Sequence, residues 1–266
     1  MAKTSKQTFD TIINTIKSVN KQWDSTLYSF TQGKDVKVSP MTVGQQRSII
    51  TASYNSKATA AFTTDIIDEV LLQNVDTSGS APLTILDRPL MLLEMRKQIH
   101  GDSMDLTDEN DEVQTMKISE HIKRCKDKIK MPDLPTEFIV NEGNISVTCS
   151  LPTIKRDRQV NAIYFDKYNP TSDNREIMHE LIGDAFVFEI TKYIKAVELH
   201  GEVVDIVNNT EVDQSISIVE TLPYPLSTKI SKKIEPFKSV ESQLLTHEYP
   251  GGSIPIPIDS SMFIGE

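Results

Sequence analysis

One short motif in this sequence begins like a zinc-protease site. His179-Glu180 reproduces the start of the helical pattern in which two histidines one turn apart bind zinc and the adjacent glutamate acts as a base. Gly183 occupies the place of the second histidine. The residues therefore predict an ordinary helix surface at this position and not a protease centre.

Two further groups of residues fall short of a metal site. His121 and Cys125 are four residues apart and share one helical face, but two ligands without a second pair do not hold a structural zinc ion. A calcium loop starting at Asp105 fails, because Asn110 stands at the position of the central glycine and Met116 at that of the closing glutamate. No metal and no other cofactor is expected.

Phosphate and nucleic-acid chemistry are also disfavoured. The chain has ten glycines, and the pair Gly251-Gly252 precedes extended sequence with prolines instead of a helix. The basic run 121–130 lacks interleaved aromatic residues that stack on bases, so it is interpreted as a solvated helix face or a local electrostatic partner. With a formal net charge of −10, no nucleic-acid partner is expected.

The composition is that of a packed globular protein. Hydrophobic residues make up 38% and charged residues 25% of the 266 residues. Two cysteines, Cys125 and Cys149, and an amphipathic N-terminus indicate synthesis and folding in a reducing cytoplasm. No apolar run approaches the roughly 18 residues of a membrane-spanning helix, so no membrane partner is expected.

Catalysis without a recognisable motif stays an alternative. The carboxylates are numerous, but the sequence pairs none of them across a cleft. An enzyme with a dispersed carboxylate site would need a deep pocket with convergent polar groups. No small-molecule substrate is expected.

Apolar periodicity predicts the elements of the N-terminal half. Residues 5–23 read as one amphipathic helix, whose apolar stripe covers either its own domain or a partner subunit. Thr42 and Gln45 match a capping box at the start of a helix, and Gly101 is placed to cap another. The other elements predicted here are a hairpin of strands 26–30 and 36–38 and helices at 64–75 and 87–100.

An acidic stretch divides this half from the next. Residues 102–112 repel one another electrostatically and contain little to bury, which predicts an exposed linker or loop and a domain boundary. Pro236 is expected to end or kink the last long helix. The elements predicted beyond the boundary are a hairpin of strands 138–140 and 145–149 and helices at 173–197, 212–221 and 225–245.

The two halves show a weak internal similarity. A shift of 111 residues places Val36 on Val147, and a shift of 100 residues places His100-Gly101 on His200-Gly201. Each half then reads as a hairpin followed by helices. Both an internal duplication and a chance match of amphipathic stretches remain open.

The C-terminal residues 249–264 are predicted to form an extended arm, because their prolines exclude a regular helix. Ile254, Ile256 and Ile258 alternate with other residues and, with Phe263, form an apolar row that needs cover. The arm either folds back on its own domain or binds another subunit. These four residues are therefore the candidate protein interface.

These patterns give an α+β fold of two hairpin-and-helix modules. The N-terminal amphipathic helix precedes the modules, and the extended C-terminal tail follows them. The predicted divisions are 1–24 for the helix, 25–101 for the first module, 102–135 for an acidic and then basic linker, 136–248 for the second module and 249–266 for the tail.

Several segments together resemble the baseplate hub subunit family of T-even-type bacteriophages. None is a chemical signature, so the resemblance depends on their order and spacing, and the acidic stretch has no match in it. The segments are Val38-Ser-Pro-Met-Thr-Val-Gly-Gln-Gln-Arg47, Leu86-Asp-Arg-Pro89 leading to Arg96, Ser150-Leu-Pro-Thr153, Gly183-Asp-Ala-Phe186, Val219-Glu-Thr-Leu-Pro223 and Pro257-Ile-Asp-Ser-Ser-Met-Phe263.

The resemblance implies a non-catalytic protein of the virion tail baseplate in a contractile-tailed phage. It implies contacts with other baseplate or tail proteins and carries over no active-site residue. An assembly chaperone that is absent from the mature particle is the alternative within this class.

Overall fold

The structure, a computed structural model, describes residues 10–16, 18–19, 21–54, 60–78, 81–129, 135–167 and 175–264. Residues 10–16 and 18–19 are helical, and the rest of the predicted N-terminal helix before residue 21 lies outside the described residues. The strands are β1 Ser25–Ser29, β2 Lys34–Val38, β3 Val75–Asp76, β4 Ser103–Thr107, β5 Val113–Lys117, β6 Glu137–Glu142, β7 Ile145–Ser150, β8 Ile194–Leu199, β9 Glu202–Asp205, β10 Thr246–Tyr249 and β11 Gly252–Pro255. The helices are α1 Val43–Ser53, α2 Ala60–Asn74, α3 Arg88–His100, α4 Ile118–Lys128, α5 Ile154–Lys167, α6 Arg175–Tyr193, α7 Ile206–Asn209, α8 Val212–Thr221 and α9 Tyr224–Leu244.

The fold is α+β, as the sequence predicts. In the first module, β1 and β2 form the predicted hairpin, and β3 pairs antiparallel with β2 to give the sheet order β1-β2-β3. Val36 and Val38 alternate on the buried face of this sheet. Thr42 and Gln45 form the predicted capping box of α1, and Gly101 caps α3 with a positive φ of 86°.

The second module repeats this order of elements. The hairpin of β6 and β7 is followed by α5, α6 and a strand, β8, that pairs antiparallel with β7. At the offset of 111, Val147 and Cys149 on β7 are buried like Val36 and Val38 on β2. Thr153 receives a hydrogen bond from the Arg156 N–H at the start of α5, as Thr42 does from Gln45 at the start of α1. A common origin of the modules stays a prediction.

The second offset, 100, does not match equivalent structure. His100 is the last residue of α3, whereas His200 and Gly201 form the turn between β8 and β9. Gly101 and Gly201 both have a positive φ, because a helix end and a tight hairpin turn each require a residue in the left-handed region. The shared dipeptide therefore reflects turn chemistry and not a repeated position.

The acidic stretch 102–112 is a hairpin, so the prediction of a linker or loop was wrong in conformation. Strands β4 and β5 pair along five residues each. Met104 and Leu106 alternate with polar residues and are buried in the core. The many charged residues around them led to the prediction that the stretch has little to bury. The Asp108 carboxylate accepts hydrogen bonds from the N–H groups of Asn110 and Glu112 and shapes the turn.

Two helix boundaries also differ from the prediction. Residues 194–197, expected to be helical, belong to β8, because pairing with β7 and burial of Ile194 outweigh helical periodicity. Helix α9 does not end at Pro236 but continues to Leu244, and a kink at that proline stays a prediction. Both Pro236 and Lys232 are exposed, so water can satisfy the Lys232 carbonyl that loses its N–H donor.

The main core contains residues of both modules and of the C-terminal segment. A smaller cluster of Val160, Phe188 and Ile216 lies between α5, α6 and α8. The modules are also joined by backbone hydrogen bonds, from the Ile85 N–H to the Pro152 carbonyl and from the Ile154 N–H to the Leu83 carbonyl. These contacts bring together the segments before α3 and before α5. The division of the chain into domains stays a prediction.

Candidate protein-interaction surface

His121 and Cys125 occupy a buried structural position. His121 Nε2 donates to the Leu244 carbonyl at 2.9 Å, and its Nδ1 lies 3.0 Å from Nη2 of Arg124. An Nε2–H tautomer satisfies both contacts, which leaves no ring nitrogen free for a metal. Burial lowers the pKa of His121 and raises the pKa of Cys125 to about 11, so both side chains are neutral near pH 7.

The other sequence candidates for metal binding give no assembled site. The side chains of His179 and Glu180 lie outside the described residues. Among the side chains that the structure does describe, no group of three or more potential metal ligands occurs. Burial also raises the pKa of Cys149 to about 12, so its thiol remains protonated.

A buried ionic network connects the helices of the two modules. Arg88 on α3 lies between Asp68 on α2, with Nε 2.9 Å from Oδ1, and Asp157 on α5, with Nη2 2.5 Å from Oδ2. Lys192 on α6 lies 2.9 Å from Asp157 and 3.1 Å from Glu189. Each of these carboxylates is bound by a cation, so the network holds the helices of the two modules together.

The two central carboxyl groups titrate differently. Burial alone would raise the pKa of Asp157, but the charges of Arg88 and Lys192 outweigh it and hold that pKa below its usual value. Asp68 Oδ1 and Arg88 Nε form an ion pair without a hydrogen bond between them, and burial raises the pKa of Asp68 to about 6. Asp157 is therefore the constant negative charge at the junction of the modules.

Asp87 forms a second polar centre, within the first module. Its carboxylate accepts hydrogen bonds from the hydroxyls of Ser29 at 2.8 Å and Thr31 at 2.7 Å. It also accepts from the N–H groups of Thr31 and Thr84. The Thr84 hydroxyl also lies within hydrogen-bond distance, at 3.2 Å. The turn between β1 and β2 is thereby fixed to the start of α3, and the buried Asp87 side chain is satisfied by five donors.

The residues proposed from sequence as an interface are placed in the chain's own core. Ile254, Ile256 and Phe263 are buried, and Ile258 is half-buried against the same cluster. The Phe263 carbonyl accepts a hydrogen bond from Gln46 Nε2 at 3.0 Å, which ties the end of the chain to α1. The segment begins as the hairpin of β10 and β11 and continues without regular structure to a 3₁₀ turn at Ser260–Met262.

Exposed apolar side chains also occur elsewhere on the chain, singly at positions such as Trp23, Val43 and Tyr54 and together in the following three groups. On the N-terminal helix, Ile12 and Ile16 are 53% and 54% exposed. Between α6 and α9, Phe186 and Tyr224 line an open groove of about 540 Å³. The third place is the β8–β9 hairpin and the helix after it, where the exposed residues are Leu199, Val203, Val204 and Val207. Large contiguous apolar patches are typical of surfaces that bind other macromolecules.

Sequence reasoning missed the third surface because it extended a helix to residue 197. A usable signal was present: the apolar residues Val197, Leu199 and Val203 flank His200-Gly201, which is a turn pair. The sequence did predict the amphipathic N-terminal helix, and it left open whether the apolar stripe of that helix covers its own domain or a partner subunit. In the described part of that helix, the apolar residues at positions 12, 16 and 19 are exposed.

Within the residues that the structure describes, no helix combines the length and the apolar character needed to cross a bilayer.

Comparison with known proteins identifies the family. The family model described as T4 bacteriophage base plate protein matches residues 24–241, which run from the start of the first sheet almost to the end of α9. No curated protein and no solved structure matches the chain. The matched span includes both modules and their ionic junction, and the chain therefore belongs to the T4 bacteriophage base plate protein family.

Proposed function

We propose that the protein is a structural or assembly component of the baseplate hub in a contractile phage tail. The observation that carries this proposal is the family match over residues 24–241. Membership of that family supports a structural role in the phage baseplate, with other tail proteins as partners. The hub location, synthesis in the host cytoplasm and action through protein contacts alone belong to the proposal.

The surface supports a role in binding proteins. Large aliphatic and aromatic side chains are exposed on the N-terminal helix, on the α6–α9 groove and on the β8–β9 hairpin. In the C-terminal segment, Ser253, Pro255 and Pro257 are exposed, whereas the isoleucines between them point inward. The exposed residues are the part of this segment that a partner could contact. A partner that contacts this segment would meet prolines and backbone, not the isoleucine row.

Quantitative mass spectrometry of purified virions and of tail-assembly intermediates tests the proposal. A structural subunit is expected in both, at a fixed ratio to other baseplate proteins. An assembly chaperone is expected in the intermediates alone. Absence from both preparations would contradict the proposed function.

A further inference from the structure

The hairpin of β8 and β9 ends in a two-residue turn that fixes its ladder. His200 and Gly201 have φ angles of 54° and 87°, the positive values that a type I′ turn requires at both central positions. Leu199 pairs with Glu202 across this turn. That closing pair is hydrogen-bonded in a two-residue hairpin, and hydrogen-bonded and non-hydrogen-bonded pairs then alternate along the ladder.

By this alternation, Val203 presents its backbone outward from β9. It pairs with Glu198 at a non-hydrogen-bonded position, so its N–H and C=O point away from β8. Strand β9 is at the end of the sheet order β6-β7-β8-β9, and the Val203 side chain is 63% exposed. A donor, an acceptor and an apolar side chain are therefore available at one edge position.

The second module has this hairpin in addition to the elements that it shares with the first. In the described part of the first module, the sheet ends at β3, which has two residues. In the second module, the equivalent strand β8 has six residues and turns back as β9. The exposed side chains of Leu199, Val204 and Val207 lie on this extra segment or directly after it. Packing of the shared module does not account for them.

The opposite edge of the same sheet is covered by α9. Ile139 on β6 is 60% exposed and, counted from its own two-residue turn, also directs its backbone outward. Beside it, Lys229 on α9 donates to the Asn141 carbonyl at 3.4 Å. Phe138 stacks on Phe237 with ring centroids 6.1 Å apart. Both edge strands therefore direct backbone groups outward, at Val203 and at Ile139, but α9 packs beside the β6 edge.

The charges around β9 determine what can pair with it. Glu198, Glu202 and Asp205 lie within the hairpin, and the nearby Lys195 is bound to Glu137 at 2.6 Å. Antiparallel pairing of β9 with β9 of a second copy would join the two strands through their outward backbone groups and would bring two sets of Glu198, Glu202 and Asp205 to one edge. Repulsion between these carboxylates disfavours self-pairing.

We propose that β9 is a docking edge to which an extended, basic segment of another baseplate protein adds as a strand. The segment would place a Lys or Arg opposite Glu202 and another opposite Asp205, three residues apart, with two apolar residues between them. Backbone hydrogen bonds at Val203 supply affinity, and the charges select the partner. This inference rests on the proposed function, since that function supplies the partner class.

Photo-crosslinking in cells that produce the phage tests the edge directly. The full-length chain carries a photoreactive amino acid at position 203 or, as a matched control, at position 139. The adduct from position 203 is expected to map to a tail protein, within a segment with the pattern basic, apolar, apolar, basic. An adduct from position 139 alone, or an adduct from position 203 within an acidic segment or a second copy of this chain, would overturn the proposal.

Two substitutions separate backbone pairing from charge pairing. Val203→Pro removes the outward N–H and should abolish the adduct detected from a photoreactive residue at position 204, whereas Ile139→Pro should leave it unchanged. Glu202→Lys should lower the adduct yield on the order of tenfold, because an opposite-charge pair becomes a like-charge pair. Equal effects of the two proline variants, with both chains shown to be folded by circular dichroism, would refute strand addition.

Failure of this inference can be told apart from failure of the proposed function. If the chain is present in tail complexes but position 203 gives no adduct, the docking edge is wrong and the proposed function stands. If the chain is absent from virions and from all tail intermediates, both are wrong.

Discussion

Replacing Phe263 by alanine tests whether the C-terminal segment is part of the core. The side chain is fully buried, with 0% exposure, and it packs with residues of the main core cluster. Removing it forfeits about 1.5–3 kcal/mol of transfer free energy. The cavity left behind adds to this, so the expected loss is about 3–5 kcal/mol of the free energy of unfolding.

The backbone contact of the same residue remains in this variant. Gln46 Nε2 donates to the Phe263 carbonyl, so the alanine substitution isolates the side-chain contribution. Gln46→Ala removes the hydrogen bond instead and should cost about 1 kcal/mol. The two values together measure how strongly the end of the chain is held against α1.

Urea unfolding followed by circular dichroism is the appropriate assay. Phe263→Ala should lower the transition midpoint with an unchanged slope, since the same surface is exposed on unfolding. Phe186→Ala, at a position that is 41% exposed, is the matched control and should cost no more than about 1 kcal/mol. Equal, small losses in both variants would show that the segment does not dock on its own chain and would refute this reasoning.

Three further predictions concern the junction and the helix starts. Asp157→Ala leaves Arg88 and Lys192 without their shared carboxylate and should cost about 3–5 kcal/mol in urea unfolding; a loss below about 1 kcal/mol would contradict a buried network. Because burial raises the pKa of Asp68 to about 6, its contribution to stability is fully present below its unfolded pKa of about 3.9 and is lost as pH rises towards 6. Asp68→Asn should therefore lose less stability than the wild type between pH 4 and pH 7, and parallel profiles would count against the raised pKa. Thr42→Ala and Thr153→Ala should each cost about 1 kcal/mol, since each removes an N-cap; a neutral result at either position would argue against equivalent caps.

Local signals in the sequence predict much of the framework. The capping box at Thr42 depends on residues within one helical turn, and the glycine at position 101 acts through its own backbone angles. The hairpin of β6 and β7 is marked by alternation on both sides of Gly143. Each of these features depends on residues that are close in the sequence, so each can be predicted from the sequence alone.

Other features depend on contacts between distant segments. Residues 194–197 are helical by periodicity but become a strand because β7 is available for pairing. The charges at 102–112 suggest a linker, yet Met104 and Leu106 find a core to enter. Arg88 and Asp157 are 69 residues apart, and no pattern in the sequence indicates that they meet. Tertiary contacts determine the structure in these cases, and such contacts cannot be predicted from the pattern of a single sequence.

The segments that carry the family resemblance are mostly junctions of the fold. Asp87 and Arg88 hold the two buried polar centres, Thr153 bridges to the segment before α3, and Phe263 docks on α1. Such positions tolerate few residue types, because a change leaves a buried charge or cavity behind.

The exposed strand β9 is under no such packing constraint, and its residues are free to follow the partner. The buried junctions therefore specify the framework of the molecule, whereas its partner must be sought on exposed surfaces such as this strand, where packing does not limit the residue types.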